Sequence, residues 1–227
     1  MTTPDARISA NSRPAANEKE TGRLEAFSDG IFGVAITLLA LEIGIPADAG
    51  ATNASLWHAI VERWPEYFAY FNSFAVVLLI WMGHHRILKP VRTANTPALL
   101  LNGLVLLLVA LFPFPTRTVG RFIDTEAAST AVAFYAGFTG AITLSLTLLA
   151  KYLQQHRWLL VEDDRGVRSL AHMLRWQWAG IVAYAMMAAG AFVAPRLALA
   201  GTFLMWAFWA GVVAASDERP NGRHGSS

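Results

Sequence analysis

The sequence predicts an all-α integral membrane protein with six transmembrane helices per subunit. Of its 227 residues, 55% are hydrophobic and 15% are charged, whereas about a quarter of the residues in a soluble domain are charged. The apolar residues form blocks, several of which reach the roughly 20 residues that a helix needs to cross the hydrocarbon core. The net charge is only +2 and cysteine is absent, which disfavours nucleic-acid binding and excludes disulfides or thiolate sites.

Each of the six apolar blocks is bounded by a proline or by charged residues. In chain order, the predicted spans cover residues 24–45, 67–87, 98–114, 127–150, 176–194 and 197–215. Pro46 stops the first span, and the second ends in the cluster His84-His85-Arg86. The third lies between two prolines, and no charge interrupts the fourth. The fifth and sixth are separated only by Pro195-Arg196 and should form a tight helical hairpin.

The two ends of the chain are polar. Residues 1–20 lack the apolar stretch of a secretory signal peptide and are predicted to be a disordered cytosolic tail, as are residues 217–227. Residues 21–216 then form the transmembrane domain. Within it, residues 56–64 are predicted to be a short interfacial helix, because Trp57 and Trp64 suit the headgroup region.

The distribution of lysine and arginine predicts the orientation. With both termini in the cytosol, fourteen of the 18 basic residues lie in the tails or in the loops after spans 2 and 4. The exceptions are Arg63, Arg117, Arg121 and Arg196. Because cytosolic loops carry an excess of positive charge, we expect a multi-pass protein of the plasma membrane with both termini cytosolic.

A carboxylate stands near the start of the first span, in the run Arg23-Leu-Glu-Ala-Phe27-Ser28-Asp29-Gly30. An ionisable group within a membrane needs a partner, water or an ion path; a plainer interpretation is that this run only anchors the helix at the interface. In the predicted topology, polar residues of spans 1 to 3 reach a similar depth and can form a network that clamps these spans together. Its members are Arg23, Ser28, Asp29, Trp81, His84, His85 and Asn102.

The plainer alternative for the two histidines is that they are interfacial residues. A metal site is not predicted there, because adjacent side chains on a helix point about 100° apart and no carboxylate shares the spacing of His84 and His85.

The first span also has an apolar stripe. At about 100° per residue, one face collects several large apolar side chains, with Ile31 and Thr37 at its edges. These side chains are Phe27, Val34, Leu38, Leu41 and Ile45. Such a stripe usually faces lipid or a neighbouring helix, and a hydrophobic constriction in a pore is the sharper alternative. Leu39 falls off the stripe, so Leu39→Ala is expected to change little beyond packing and to serve as a control for the ion selectivity.

The signature Arg23-x-x-x-Phe27-Ser28-Asp29 resembles the start of the first helix in the prokaryotic transmembrane protein 175 potassium channels. Further segments are similar to that family in the same order: Ala35-Ile36-Thr37-Leu38-Leu39, Trp81 with His84-His85, Asn102, and Pro113-Phe114-Pro115. The resemblance is specific over the first three spans and extends to the last three by hydropathy and spacing.

The resemblance implies a homotetramer around a K⁺-permeable pore that is lined by the first helix and has no carbonyl filter loop. It places the constriction at Val34, Leu38 and Leu41, with Thr37 adjacent, and groups Phe27 with the polar network as part of the signature. Val34 is smaller than the Ile or Leu of the family, which predicts a wider neck and weaker selectivity at that layer. No cofactor and no metal is implied beyond permeating monovalent cations.

Two other functions are weighed against a channel. A proton- or sodium-coupled secondary transporter would use Asp29 and Glu42 as ion sites, but it predicts internal repeats with broken helices, and the sequence shows no such repeat. An intramembrane enzyme would need a nucleophile–base pair or a metal motif, and no cysteine, H-E-x-x-H or G-x-S-x-G is present. The channel is the favoured function, the transporter the second and the enzyme a distant third.

Overall fold

The computed structural model describes the backbone of residues 5–44, 52–161 and 164–217, and the side chains of residues 21–44, 52–161, 170, 171 and 173–211. Within these ranges the chain forms eight α-helices and one 3-10 turn, Arg157–Leu159. The α-helices are α1 (Asp5–Leu41), α2 (Asn53–Glu62), α3 (Trp64–Leu88), α4 (Thr96–Leu111), α5 (Pro113–Phe122), α6 (Ala128–Gln155), α7 (Asp164–Gly190) and α8 (Pro195–Asp217).

Four stretches of the described chain are long and apolar enough to cross a membrane. They are Thr21–Leu41, Trp64–Leu88, Thr96–Phe122 and Ala128–Gln155, and they contain most of the first four predicted spans. Residues 176–190 of the predicted fifth span lie in α7, and the whole of the predicted sixth span lies in α8. These two helices contact each other, so the predicted hairpin is present, but its connection is residues 191–194, and Pro195-Arg196, the predicted connection, begins α8 instead.

The third stretch is longer than the sequence predicted. The predicted span ends at Phe114, but Pro113 occupies the first turn of α5, which continues to Phe122. Proline is tolerated in the first turn because the N–H that it lacks would have no helical partner there. The pair of prolines therefore separates α4 from α5 without ending the apolar stretch.

Two helix starts also differ from the prediction. For residues 1–20 the sequence predicted disorder, whereas the backbone of α1 is helical from Asp5; the Ala, Glu and Lys residues here are good helix formers that can extend a helix already nucleated. Helix α2 begins three residues before the predicted interfacial helix, because Thr52 and Ser55 form a capping box. Residues 1–4 and 218–227 lie outside the described residues.

The core lies between α1, α3, α4 and α6. One face of α1 is buried against α3 and α4 through Phe32, Ala35 and Leu39, whose spacing of three and four residues puts them on the same side of the helix. Helix α6 contacts α4, α5, α7 and α8 and buries side chains such as Tyr135 and Ile142. This packing fixes the rotation of α1 and so decides which of its faces stays uncovered.

The loops after α3 and α6 are hydrogen-bonded to each other. Val91 and Leu160 form an isolated antiparallel bridge, and the backbone N–H of Val161 donates to the carbonyl of Pro90 at 2.8 Å. The Thr21 hydroxyl donates to the carbonyl of Arg92 at 2.9 Å. Both basic loops therefore lie at the same end of the helices as the start of the apolar part of α1.

Candidate functional site

The face of α1 opposite the core is apolar and exposed in the single chain. Val34 is 58% exposed, Leu38 38% and Leu41 77%. Thr37 is also exposed, and its hydroxyl donates to the carbonyl of Val34 at 2.8 Å, which leaves the oxygen lone pairs available to a ligand on that side. Phe27 is exposed as well, while Ile45 lies outside the described residues. The predicted constriction residues thus share one face that the described chain does not cover.

Leu39 is on the other side of the helix and is 0% exposed. The change in packing that the sequence allowed for is large, because Leu39→Ala would open a cavity in the core at a cost of about 2–5 kcal/mol, which makes this variant a poor control. A variant meant to test the exposed face alone therefore has to be compared with an exposed leucine elsewhere.

Three residues of the predicted network form a buried chain of hydrogen bonds between α1, α3 and α4. The Ser28 hydroxyl donates to the carbonyl of Leu24 at 2.8 Å and accepts from Nδ2 of Asn102 at 3.2 Å. Oδ1 of Asn102 lies 2.7 Å from Nε2 of His84. Because this oxygen can only accept, Nε2 of His84 is the donor. The His84 ring also packs on Phe32, with the ring centroids 5.2 Å apart.

Asp29 and His85 lie outside that buried chain. Nε1 of Trp81 donates to Oδ1 of Asp29 at 2.8 Å, and the Trp81 ring stacks on His85. Nδ1 of His85 lies 2.8 Å from Oε1 of Glu25, but the two atoms lack the geometry of a hydrogen bond. Glu25 was not predicted to take part, although it lies four residues before Asp29 and hence on the same side of α1.

The structure does not bring Arg23 and Phe27 into these contacts. Both side chains are exposed, and within the described residues no hydrogen bond or ion pair joins Arg23 to the other members of the predicted network. The residues around Asp29 thus form three groups: the buried chain from Ser28 to His84, a set of partly exposed pairs, and the exposed side chains of Arg23 and Phe27.

A second buried polar cluster, which was not predicted from the sequence, joins α3, α5, α6 and α8. Nδ2 of Asn72 donates to the Tyr135 hydroxyl at 3.1 Å and to Oγ1 of Thr202 at 3.0 Å. Oγ of Ser73 lies 3.0 Å from the Tyr135 hydroxyl and accepts from Oγ1 of Thr116 at 2.8 Å. The available signal was Asn72-Ser73 within the apolar run of the second span, since buried polar groups in a membrane need partners.

A model of the family described as endosomal/lysosomal potassium channel TMEM175 matches residues 23–113. This range contains the exposed stripe of α1 and the buried chain from Ser28 to His84. The match therefore covers both of the features that the sequence singled out in the first three spans.

Individual proteins are similar over more of the chain. A potassium channel of Streptomyces collinus is 37% identical over 188 residues, which are 82% of this chain and 89% of the relative. The crystal structure of a lysosomal potassium-selective channel TMEM175 homolog from Chamaesiphon minutus superposes with a TM-score of 0.77 at 32% identity, and the match covers 88% of this chain and 99% of that one.

A eukaryotic relative is similar over a smaller part. The endosomal/lysosomal proton channel TMEM175 of Bos taurus is 38% identical over 106 residues, which are 44% of this chain and 22% of the relative. The bacterial relative, in contrast, aligns over most of both chains, and the family is one of ion channels rather than enzymes. This protein therefore belongs to the TMEM175 family of potassium channels.

Proposed function

We propose that this protein is a K⁺-permeable cation channel in which four copies of the six-helix chain surround a pore lined by α1. The observation that carries the proposal is the two-sided character of α1, which buries Phe32 and Leu39 while Val34, Leu38 and Leu41 remain uncovered. Exposed leucines also occur on α4, so exposure alone does not single out a pore. What distinguishes α1 is that its exposed face follows the signature of a channel family.

The pore we propose is an apolar neck without a carbonyl filter. Four copies of Leu38 and Leu41 would narrow the axis and thin the hydration shell of a passing ion, with the Thr37 hydroxyl close by. Hydrophobic constrictions of this kind control passage through wetting and dehydration, and K⁺ sheds water more readily than Na⁺. Val34 would form a wider layer towards the cytosol.

In this arrangement the chain crosses the plasma membrane with both termini in the cytosol. The bonded loops after α3 and α6 support this orientation, because they carry many of the basic residues and lie at one end of the helices. The buried chain from Ser28 to His84 would then lie in the inner leaflet, where it clamps α1 to α3 and α4.

Cysteine labelling tests the orientation, since the chain has no cysteine of its own. Val161→Cys places a thiol on an exposed residue of the predicted cytosolic side, and Glu126→Cys places one on the predicted outer side. Leu160 is unsuitable because its pairing with Val91 buries it. An impermeant maleimide added to intact cells is expected to label Glu126→Cys and to spare Val161→Cys; the reverse pattern would refute the orientation.

Current recording tests the function. Purified protein in planar bilayers, with KCl on one side and NaCl on the other, is expected to pass unitary currents that reverse towards the K⁺ equilibrium potential. Protein-free bilayers are the control. A coupled transporter would give no unitary current steps. If the reversal potential followed an added pH gradient instead of the K⁺ gradient, the protein would be a proton channel.

A further inference from the structure

An ion pair stands at the end of α1, directly after the exposed apolar face. Glu42 follows Leu41, the last residue of the helix, and its Oε2 lies 3.1 Å from Nε of Arg117 on α5. The Glu42 side chain is 24% exposed and that of Arg117 is 48% exposed. The pair is therefore partly open to solvent, at the end of α1 opposite to Asp29.

Several charged residues surround this pair, and among them Arg117 is the one that forms an ion pair with Glu42. A small cleft holds both residues together with Glu66 and Arg121. Glu66 is already engaged, because Nη1 of Arg63 donates to its two carboxylate oxygens at 2.8 and 2.9 Å. Arg121 adds a further positive charge to the same cleft. The negative charge of Glu42 is thus offset by an arginine on a neighbouring helix, α5.

We propose that the Glu42–Arg117 pair sets the electrostatic potential at the outer mouth of the neck and thereby controls the conductance for cations. This inference rests on the proposed channel, in which four copies of Glu42 surround the mouth one residue beyond Leu41. Charge at the mouth of a pore changes the local concentration of permeant ions. Removing Arg117 makes the potential of this cleft more negative and raises the local concentration of cations, whereas removing Glu42 makes the potential more positive and lowers that concentration.

Two neutralising variants give opposite predictions. Arg117→Gln leaves Glu42 unpaired, and we expect the single-channel K⁺ conductance in 10 mM KCl to rise by about twofold, because the Debye length there is about 30 Å. Glu42→Gln leaves Arg117 unpaired and should lower the conductance by a similar factor. In 1 M KCl, where the Debye length is about 3 Å, both differences should largely disappear.

The matched control is Arg196→Gln. Arg196 is also ion-paired, with Nη2 2.9 Å from Oδ1 of Asp124, but it lies at the start of α8, away from α1. This variant removes the same charge from the same predicted side of the membrane but from a pair that does not include Glu42, so it should change the low-salt conductance clearly less than Arg117→Gln does. The double variant Glu42→Gln/Arg117→Gln removes both charges and should return the conductance close to that of the unmodified protein.

Charged thiol reagents repeat the test on protein that has already assembled. In a Glu42→Cys protein, a negatively charged methanethiosulfonate should raise the low-salt conductance and a positively charged one should lower it. Equal effects of both reagents, or an Arg196→Gln effect as large as that of Arg117→Gln, would overturn the inference. If the unmodified protein passes K⁺ but Arg117→Gln and Glu42→Gln have the same conductance as the unmodified protein, only this inference fails. Absence of any unitary current would refute the channel itself.

Discussion

Leu38→Ala is expected to raise the permeability of Na⁺ relative to K⁺ by about tenfold, equivalent to about 1.4 kcal/mol of barrier. The physical reason is that truncation of Leu38 widens the proposed neck, so that a hydrated Na⁺ loses less of its water on the way through. Leu41→Ala should act in the same direction. Reversal potentials in mixed KCl and NaCl measure the effect.

The control for both variants is Leu107→Ala on α4. Leu107 is 56% exposed, so its truncation removes the same atoms from an uncovered apolar face that does not belong to the proposed pore. Its permeability ratio should match that of the unmodified protein. If Leu38→Ala and Leu41→Ala have the same permeability ratio as Leu107→Ala and the unmodified protein, α1 does not line the constriction.

His84→Ala is expected to destabilise the protein far more than His85→Ala, although the two residues are adjacent. His84 is 1% exposed and is hydrogen-bonded to Asn102. Its removal leaves a buried Asn102 oxygen without a donor, at a cost of about 1–3 kcal/mol, and opens a cavity beside Phe32. The side chain of His85 is 44% exposed, so its truncation should cost less than about 0.5 kcal/mol.

The stability of the two histidine variants is compared by heating the detergent-solubilised proteins and measuring, by size-exclusion chromatography, how much assembled protein remains. Asp29→Ala extends the comparison, because it removes the acceptor of Trp81 from an exposed pair rather than from the buried chain. We expect its loss of stability or assembly to lie between those of the two histidine variants. A His84→Ala protein that assembles normally but has an altered permeability ratio would place this residue in the ion path instead of a clamp.

The sequence alone determined the class of protein, most of the first four spans and the family. These features are local: hydropathy over about 20 residues marks a span, and the 3.6-residue period identifies which residues of α1 share a face. The signature around Asp29 and the polar residues after it identified the family. The prediction from local sequence was wrong at Pro113, because the sequence alone does not distinguish a proline that ends a helix from one in the first turn of the next helix.

Tertiary structure alone decided which residues pair and which face of α1 is covered. Leu38 and Leu39 are equally apolar in sequence, and only the packing of α3 and α4 buries one and leaves the other exposed. Asn72 finds Tyr135 and Thr202 at separations of 63 and 130 residues, contacts that no local period predicts. Hydropathy and periodicity depend on the chain near a residue, whereas a buried hydrogen bond depends on which distant helix the fold places beside it.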